Sequence, residues 1–196
     1  VCQLSEFKGQ AVRGFHGNTF RPHLRVFCLV LAGFTSVGSA QDTVFPELSS
    51  SARVLGLYFT PPSDAAKAVM DAIDQSQTEV FVQAYGFTHL AMAQALIRAH
   101  ERGVNVRVLL DERSEYTNRN VIDLLREAKV LVRLDGSHAI AHNKVMVIDA
   151  QTVITGSYNF TNAAQSRNAE NLLVLGSPEL ALSYKNNWLT HWAHSR

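Results

Sequence analysis

Residues 104–111, VNVRVLLD, are an almost unbroken apolar run of strand-forming side chains. A strand with one wet face alternates apolar and polar residues; here Val104, Val106, Val108 and Leu110 are apolar at one parity, and Leu109 makes the centre, Val108-Leu109-Leu110, continuous, which suits a strand buried by helices on both faces. The flanking chain supplies that cover. Ala65, Val69, Ala72 and Ile73 recur at helical spacing behind Pro61-Pro62-Ser63-Asp64, which ends one strand and caps a helix. A second helix is predicted over about 90–102, ended by Gly103, and a third over 118–129. Strands are predicted at 53–60, 78–85, 130–134 and 171–175, with two more inside 142–160. A closing amphipathic helix over 178–194 carries Leu180, Tyr184, Trp188 and Trp192, aromatics expected to pack in the core rather than to stack on bases. The alternation specifies an α/β fold with a central mixed β-sheet flanked by helices on both faces. No repeat at solenoid periods is present.

The chain divides into an N-terminal extension with a signal peptide (1–40), a polar linker (41–51) and a folded domain (52–196). Arg21 and Arg25 precede an apolar stretch, and Gly38-Ser39-Ala40 offers small residues where a signal peptidase would cut. The apolar stretch is short of the ~18–20 residues that cross a bilayer, so cleavage is expected over anchoring. The mature protein is accordingly expected to be periplasmic or secreted, without stable membrane association. Both cysteines, Cys2 and Cys28, lie in the leader, which leaves the domain no disulfide and no cysteine-based zinc site. The net charge of +1 also changes once the leader is set apart. Lys8, Arg13, Arg21 and Arg25 stand there against Glu6, leaving fourteen basic and sixteen acidic side chains beyond. Such a balance argues against a stable DNA-binding module and is compatible with an enzyme that turns nucleic acid over.

The chemistry concentrates in 142–160, HNKVMVIDAQTVITGSYNF. On a strand, His142 and Lys144 share a face and Asp149 does not. An imidazole nucleophile beside a fixed cation is what phosphoryl transfer without a metal requires. Ser157 and Asn159 share a parity and form a candidate substrate-binding pair, and Glu170 follows in RNAENLLVL. The plainer alternative is a solvated strand end with a hairpin turn at 149–152; the added GSYNF segment and Glu170 weigh against it. No HExxH, EF-hand loop or carboxylate cluster appears, so no metal or other cofactor is expected.

His142, Lys144 and Asp149, then GSYNF and Glu170, resemble the phospholipase D superfamily, and within it the small bacterial endonuclease branch with one motif per chain. The similarity extends over about 53–192 and includes AYGFT at 84–88 and LLDER at 109–113. It implies a phospholipase D/nuclease-like sandwich and a catalytic set of His142, Lys144, Glu170 and Asp149. His142 would attack phosphorus to give a phosphohistidine, and Lys144 would neutralise the phosphate oxygens. Glu170 would accept from the other ring nitrogen of His142, fixing its tautomer. Asp149 completes the motif, but its opposite parity gives it a supporting structural role. One motif per chain implies a homodimer with a shared active site, one histidine attacking while its mate protonates the leaving oxygen. The expected substrate is DNA, with RNA left open. The alternatives are a phospholipase D or cardiolipin hydrolase with the same chemistry, and a non-catalytic nucleic-acid-binding module.

Overall fold

The computed structural model describes residues 51–196; the expected signal sequence, both cysteines and the expected linker through residue 50 lie outside the described residues. In chain order the elements are β1 (Arg53–Thr60), α1 (Ala65–Asp74), β2 (Glu79–Ala84), α2 (Leu90–Glu101), β3 (Asn105–Asp111) and α3 (Glu115–Glu127). There follow β4 (Leu131–Asp135), β5 (Lys144–Ile148), β6 (Thr152–Gly156), α4 (Asn162–Ser166), β7 (Glu170–Gly176) and α5 (Pro178–His194). The strands make one mixed sheet in the order β1-β7-β6-β5-β2-β3-β4. β2, β3 and β4 are parallel, and every other neighbouring pair is antiparallel.

Strand parity sorts the core into two layers. Val80, Val82 and Ala84 of β2, Val106, Val108 and Leu110 of β3, and Met146 and Ile148 of β5 pack with α1, α2 and α3. The opposite parity sends Phe81, Leu109, Val145, Val147 and Val153 to α5, where they meet Ala181 and Trp188. β3 is therefore covered on both faces at its centre, where Val108, Leu109 and Leu110 are consecutive. Trp188 is fully buried and stacks on Phe81 at 4.6 Å and on Trp192 at 4.8 Å between ring centroids. Its indole donates to the Val82 carbonyl at 2.8 Å, and Arg133 lies 4.6 Å above the Trp192 ring. These aromatics are core and its rim, and burial of Trp188 contributes on the order of 3 kcal/mol.

The β5–β6 connection is a three-residue turn, Asp149 to Gln151, closed by the Gln151 amide donating to the Ile148 carbonyl at 3.0 Å, with Asp149 at φ 53° and Ala150 at φ 50° in the left-handed region. Asp149 then turns back onto the α1–β2 loop. Its carboxylate accepts from the amides of Gln77 (3.0 Å), Thr78 (2.8 Å) and Glu79 (3.1 Å) and from the Thr78 hydroxyl (2.9 Å). Burial pushes this carboxyl up, but the bonds from Thr78, Glu79 and Gln77 together outweigh burial and hold it below the ordinary aspartate value.

The other end of the sheet gathers different residues. The carboxyl ends of β2, β3 and β4 finish there, and register sets Ala84 opposite Lys144, the first residue of β5. In open α/β sheets this carboxyl edge is where loops assemble a site.

Candidate active site

A cavity of about 460 Å³ opens at that edge, lined by His142, Lys144, Gly156, Ser157, Asn159 and Glu170. Five of the six side chains singled out in the sequence thus meet. Asp149 is not among them. The whole of β5, Lys144–Ile148, lies between it and the cavity, a span of roughly 17 Å at strand rise. Its place in the catalytic set is corrected: it ties the hairpin to the α1–β2 loop at the far end of the sheet.

His142 is held from behind by a buried polar network. Asp111, 1% exposed at the end of β3, accepts from the Ala141 amide at 2.7 Å and the Ser114 amide at 2.9 Å. Asn118, equally buried on α3, accepts from the Phe87 amide at 2.8 Å and donates to the Tyr85 carbonyl at 2.8 Å. The β3–α3 junction therefore fixes both the residue before His142 and the segment leaving β2. Tyr85 completes the cradle. Its amide donates to the Asn143 carbonyl at 3.0 Å, and its ring lies 4.8 Å from the His142 ring. The Lys144 ammonium lies 5.6 Å from the same tyrosine ring. Sequence reasoning gave Tyr85, Asp111 and Asn118 no role; the only signal was that Tyr85 and Asp111 lie in the AYGFT and LLDER segments.

Lys144 is 8% exposed, and its Nζ donates to the His142 carbonyl at 2.8 Å. Burial lowers its pKa below the ordinary lysine value, and the charge of Glu170 opposes that shift. The result is a cation fixed two residues from an exposed imidazole.

Glu170 is differently engaged from its expected role. The Ser157 hydroxyl donates to its Oε2 at 2.6 Å and the Asn168 amide to its Oε1 at 3.2 Å. Among the described residues no hydrogen bond reaches the His142 ring, so Glu170 does not orient it here. Ser157 also accepts from the Asn171 amide at 3.0 Å, so its one proton is directed at Glu170 instead of into the cavity. Asn159 has a buried Oδ1 without a partner, which leaves the amide NH2 as its donor toward a ligand. Gly156 opens this corner. It has φ 152°, and a Cβ there would sit 2.2 Å from the Asn171 carbonyl oxygen, which both the Ser157 and Tyr158 amides use as acceptor.

An exposed imidazole, a buried ammonium and an amide donor around one cavity make a receptor for a phosphodiester. A family model described as cardiolipin synthase, PLD-like domain, matches residues 69–192. The chain belongs to the phospholipase D superfamily. The phospholipase D of Rickettsia conorii is 44% identical over 135 residues, covering 69% of this chain and 68% of its own. Among solved structures, Nuc from Salmonella typhimurium, a phospholipase D family member, superposes with a TM-score of 0.69 at 35% identity over 74% of this chain and 97% of Nuc. NucT from Helicobacter pylori gives 0.68 at 25% identity over 74% of this chain and 98% of NucT. The mixed sheet with helices on both faces is this superfamily's fold, and the chain is a hydrolase acting on phosphodiester bonds.

Proposed function

We propose that this phospholipase D superfamily member is a metal-independent endonuclease that cuts DNA through a phosphohistidine on His142, with RNA as a second substrate to be tested. The observation that carries the reading is the lining of the cavity: among the described residues it is made of polar side chains and one glycine, with no aliphatic side chain to receive an acyl chain and Tyr85 standing behind His142 and Lys144. A nucleic acid needs only its backbone phosphate in such a site, and the polar lining matches that need. A ring nitrogen of His142 forms a bond to phosphorus while the bond to the leaving oxygen breaks and that oxygen takes a proton. Water then adds to phosphorus and the ring nitrogen leaves. Lys144 and the Asn159 amide stabilise charge on the non-bridging oxygens. The leader's basic flank and small-residue cleavage site support a periplasmic or secreted location. No helix among the described residues is long and apolar enough to cross a membrane.

The 44% identity to a phospholipase D favours the second reading, a lipid phosphodiesterase using the same residues. One panel separates them: the purified chain with plasmid DNA, RNA, and phosphatidylcholine or cardiolipin vesicles, all in EDTA. DNA cleavage with intact lipid is expected. Lipid turnover without DNA cleavage selects the second reading, and DNA cleavage lost in EDTA and restored by magnesium overturns the metal-independent mechanism.

The proton for the leaving oxygen is assigned to His142 of a second copy across a two-fold axis. Two features support a self-association surface near the cavity. Edge strand β1 exposes Leu57 (51%) and Phe59 (58%) on the face opposite Tyr58, and it pairs with β7 so that Thr60 faces Glu170. An uncovered apolar edge strand is the kind of surface a self-complementary contact buries. Specific activity is expected to collapse on dilution through the dimer dissociation constant; a monomer by light scattering with undiminished specific activity overturns the shared site.

A further inference from the structure

Asp135, His138, His191 and His194 lie apart in sequence and come together where α5 ends against β4. One ligand atom from each falls within 4.8 Å of all the others. The Asp135 carboxylate is fully buried. His191 Nδ1 lies 2.7 Å from it, His138 Nδ1 3.2 Å and His194 Nε2 3.4 Å. Three imidazoles therefore turn a ring nitrogen toward one carboxylate, with ring centroids 4.7 to 5.4 Å apart.

We propose that this cluster is a structural zinc site, separate from the phosphodiester cavity. Four-coordinate zinc with bonds of about 2.0–2.1 Å sets its ligand atoms roughly 3.3–3.5 Å apart. The four atoms need only a modest contraction to reach that spacing. The means are present, because the His138 and His194 side chains, 46% and 34% exposed, already turn a ring nitrogen toward Asp135. The donor chemistry selects the ion. Three imidazoles and one carboxylate suit a borderline divalent metal such as zinc, whereas calcium and magnesium take oxygen shells. The anchor is already rigid on both sides. Leu134 and Arg196 exchange backbone hydrogen bonds at 2.7 and 3.2 Å, and Arg133 donates to the Trp192 carbonyl at 2.8 Å.

The site joins the end of the last helix to the β4–β5 loop, four residues ahead of His142. A zinc ion there closes that loop against α5 and steadies the approach to the cavity without touching the reacting atoms. The sequence conceals such a site because the ligands do not form a short motif. Asp135 ends a strand, His138 lies in a loop, and His191 and His194 share a helix face more than fifty residues on.

The test uses the full chain, stripped with EDTA and dialysed, and reads binding and stability rather than activity. Titration with zinc chloride is expected to show one tight site per chain. A hundredfold excess over Kd is expected to raise Tm by about 5–10 °C. Cobalt in place of zinc is expected to give the intense visible bands of a four-coordinate ion. The His138→Gln/His194→Gln double variant keeps the Asp135–His191 bond, and its zinc-dependent rise in Tm is expected to vanish. No stoichiometric binding, a purely octahedral cobalt spectrum, or an undiminished rise in the double variant overturns the site. Should the double variant fail to fold, the cobalt spectrum of the unaltered chain decides.

Discussion

Replacing His142 by asparagine is expected to lower phosphodiester hydrolysis by about four orders of magnitude or more, because the nucleophile itself is removed. His142 is exposed at the mouth of the cavity and is held by the Asp111 bond to Ala141 and by the Tyr85 ring. None of those contacts needs the imidazole nitrogens, so the fold should survive and Tm should barely change. The sharper readout is the intermediate. DNA quenched in alkali during turnover is expected to remain covalently attached to the unaltered chain, and mild acid should release it, as a phosphoramidate bond requires. The His142→Asn variant should give no adduct. Lys144→Met leaves the nucleophile in place and removes the cation, so it should slow adduct formation by about 10²–10³-fold without abolishing it. An adduct in His142→Asn, or more than about one hundredth of normal turnover, would move the nucleophile elsewhere.

The parts of this site that were legible in the sequence are those set by local periodicity. Period-two parity placed His142 with Lys144 and away from Asp149, and the first two do line one cavity, although β5 begins only at Lys144 and His142 lies in the segment before it. The three consecutive apolar residues Val108, Leu109 and Leu110 likewise pointed to a strand covered on both faces at its centre. Contacts between segments distant in the chain were hidden. Asn118 reaches Tyr85 across 33 residues, and His191 reaches Asp135 across 56. Neither pair follows a helix or strand period. Glu170 lines the expected cavity, but its hydrogen bonds among the described residues go to neighbours that no period reveals. Asn168, two residues earlier, and Ser157, across from β7, occupy both of its oxygens. α3 begins three residues before its predicted start, at Glu115, because Asp111 serves both as the end of β3 and as acceptor for the Ser114 amide. The five-residue α4 carries too short a pattern to read.

Asp149 is where motif and geometry part, and its substitution separates the two. Asp149→Ala is expected to cost roughly 2–4 kcal/mol, since one charged acceptor for three amides and a hydroxyl is lost. At this chain length that corresponds to a fall in Tm of about 5–10 °C. Turnover well below Tm should stay within about twofold of normal, because the cavity lies at the other end of β5. The pH dependence adds a check with a definite sign. The folded state holds this carboxyl below the ordinary aspartate value, so the folded chain releases the proton more readily than the unfolded chain. The contribution is therefore present in full above the unfolded pKa and fades as pH falls through the folded one. The Tm difference between the two proteins should be flat from neutral pH down to about 5 and should shrink toward pH 3. A variant with normal Tm and lost turnover would return Asp149 to the chemistry. A lower Tm with normal turnover would establish that the motif's aspartate acts here through the hairpin, holding the frame in which His142 and Lys144 share a face.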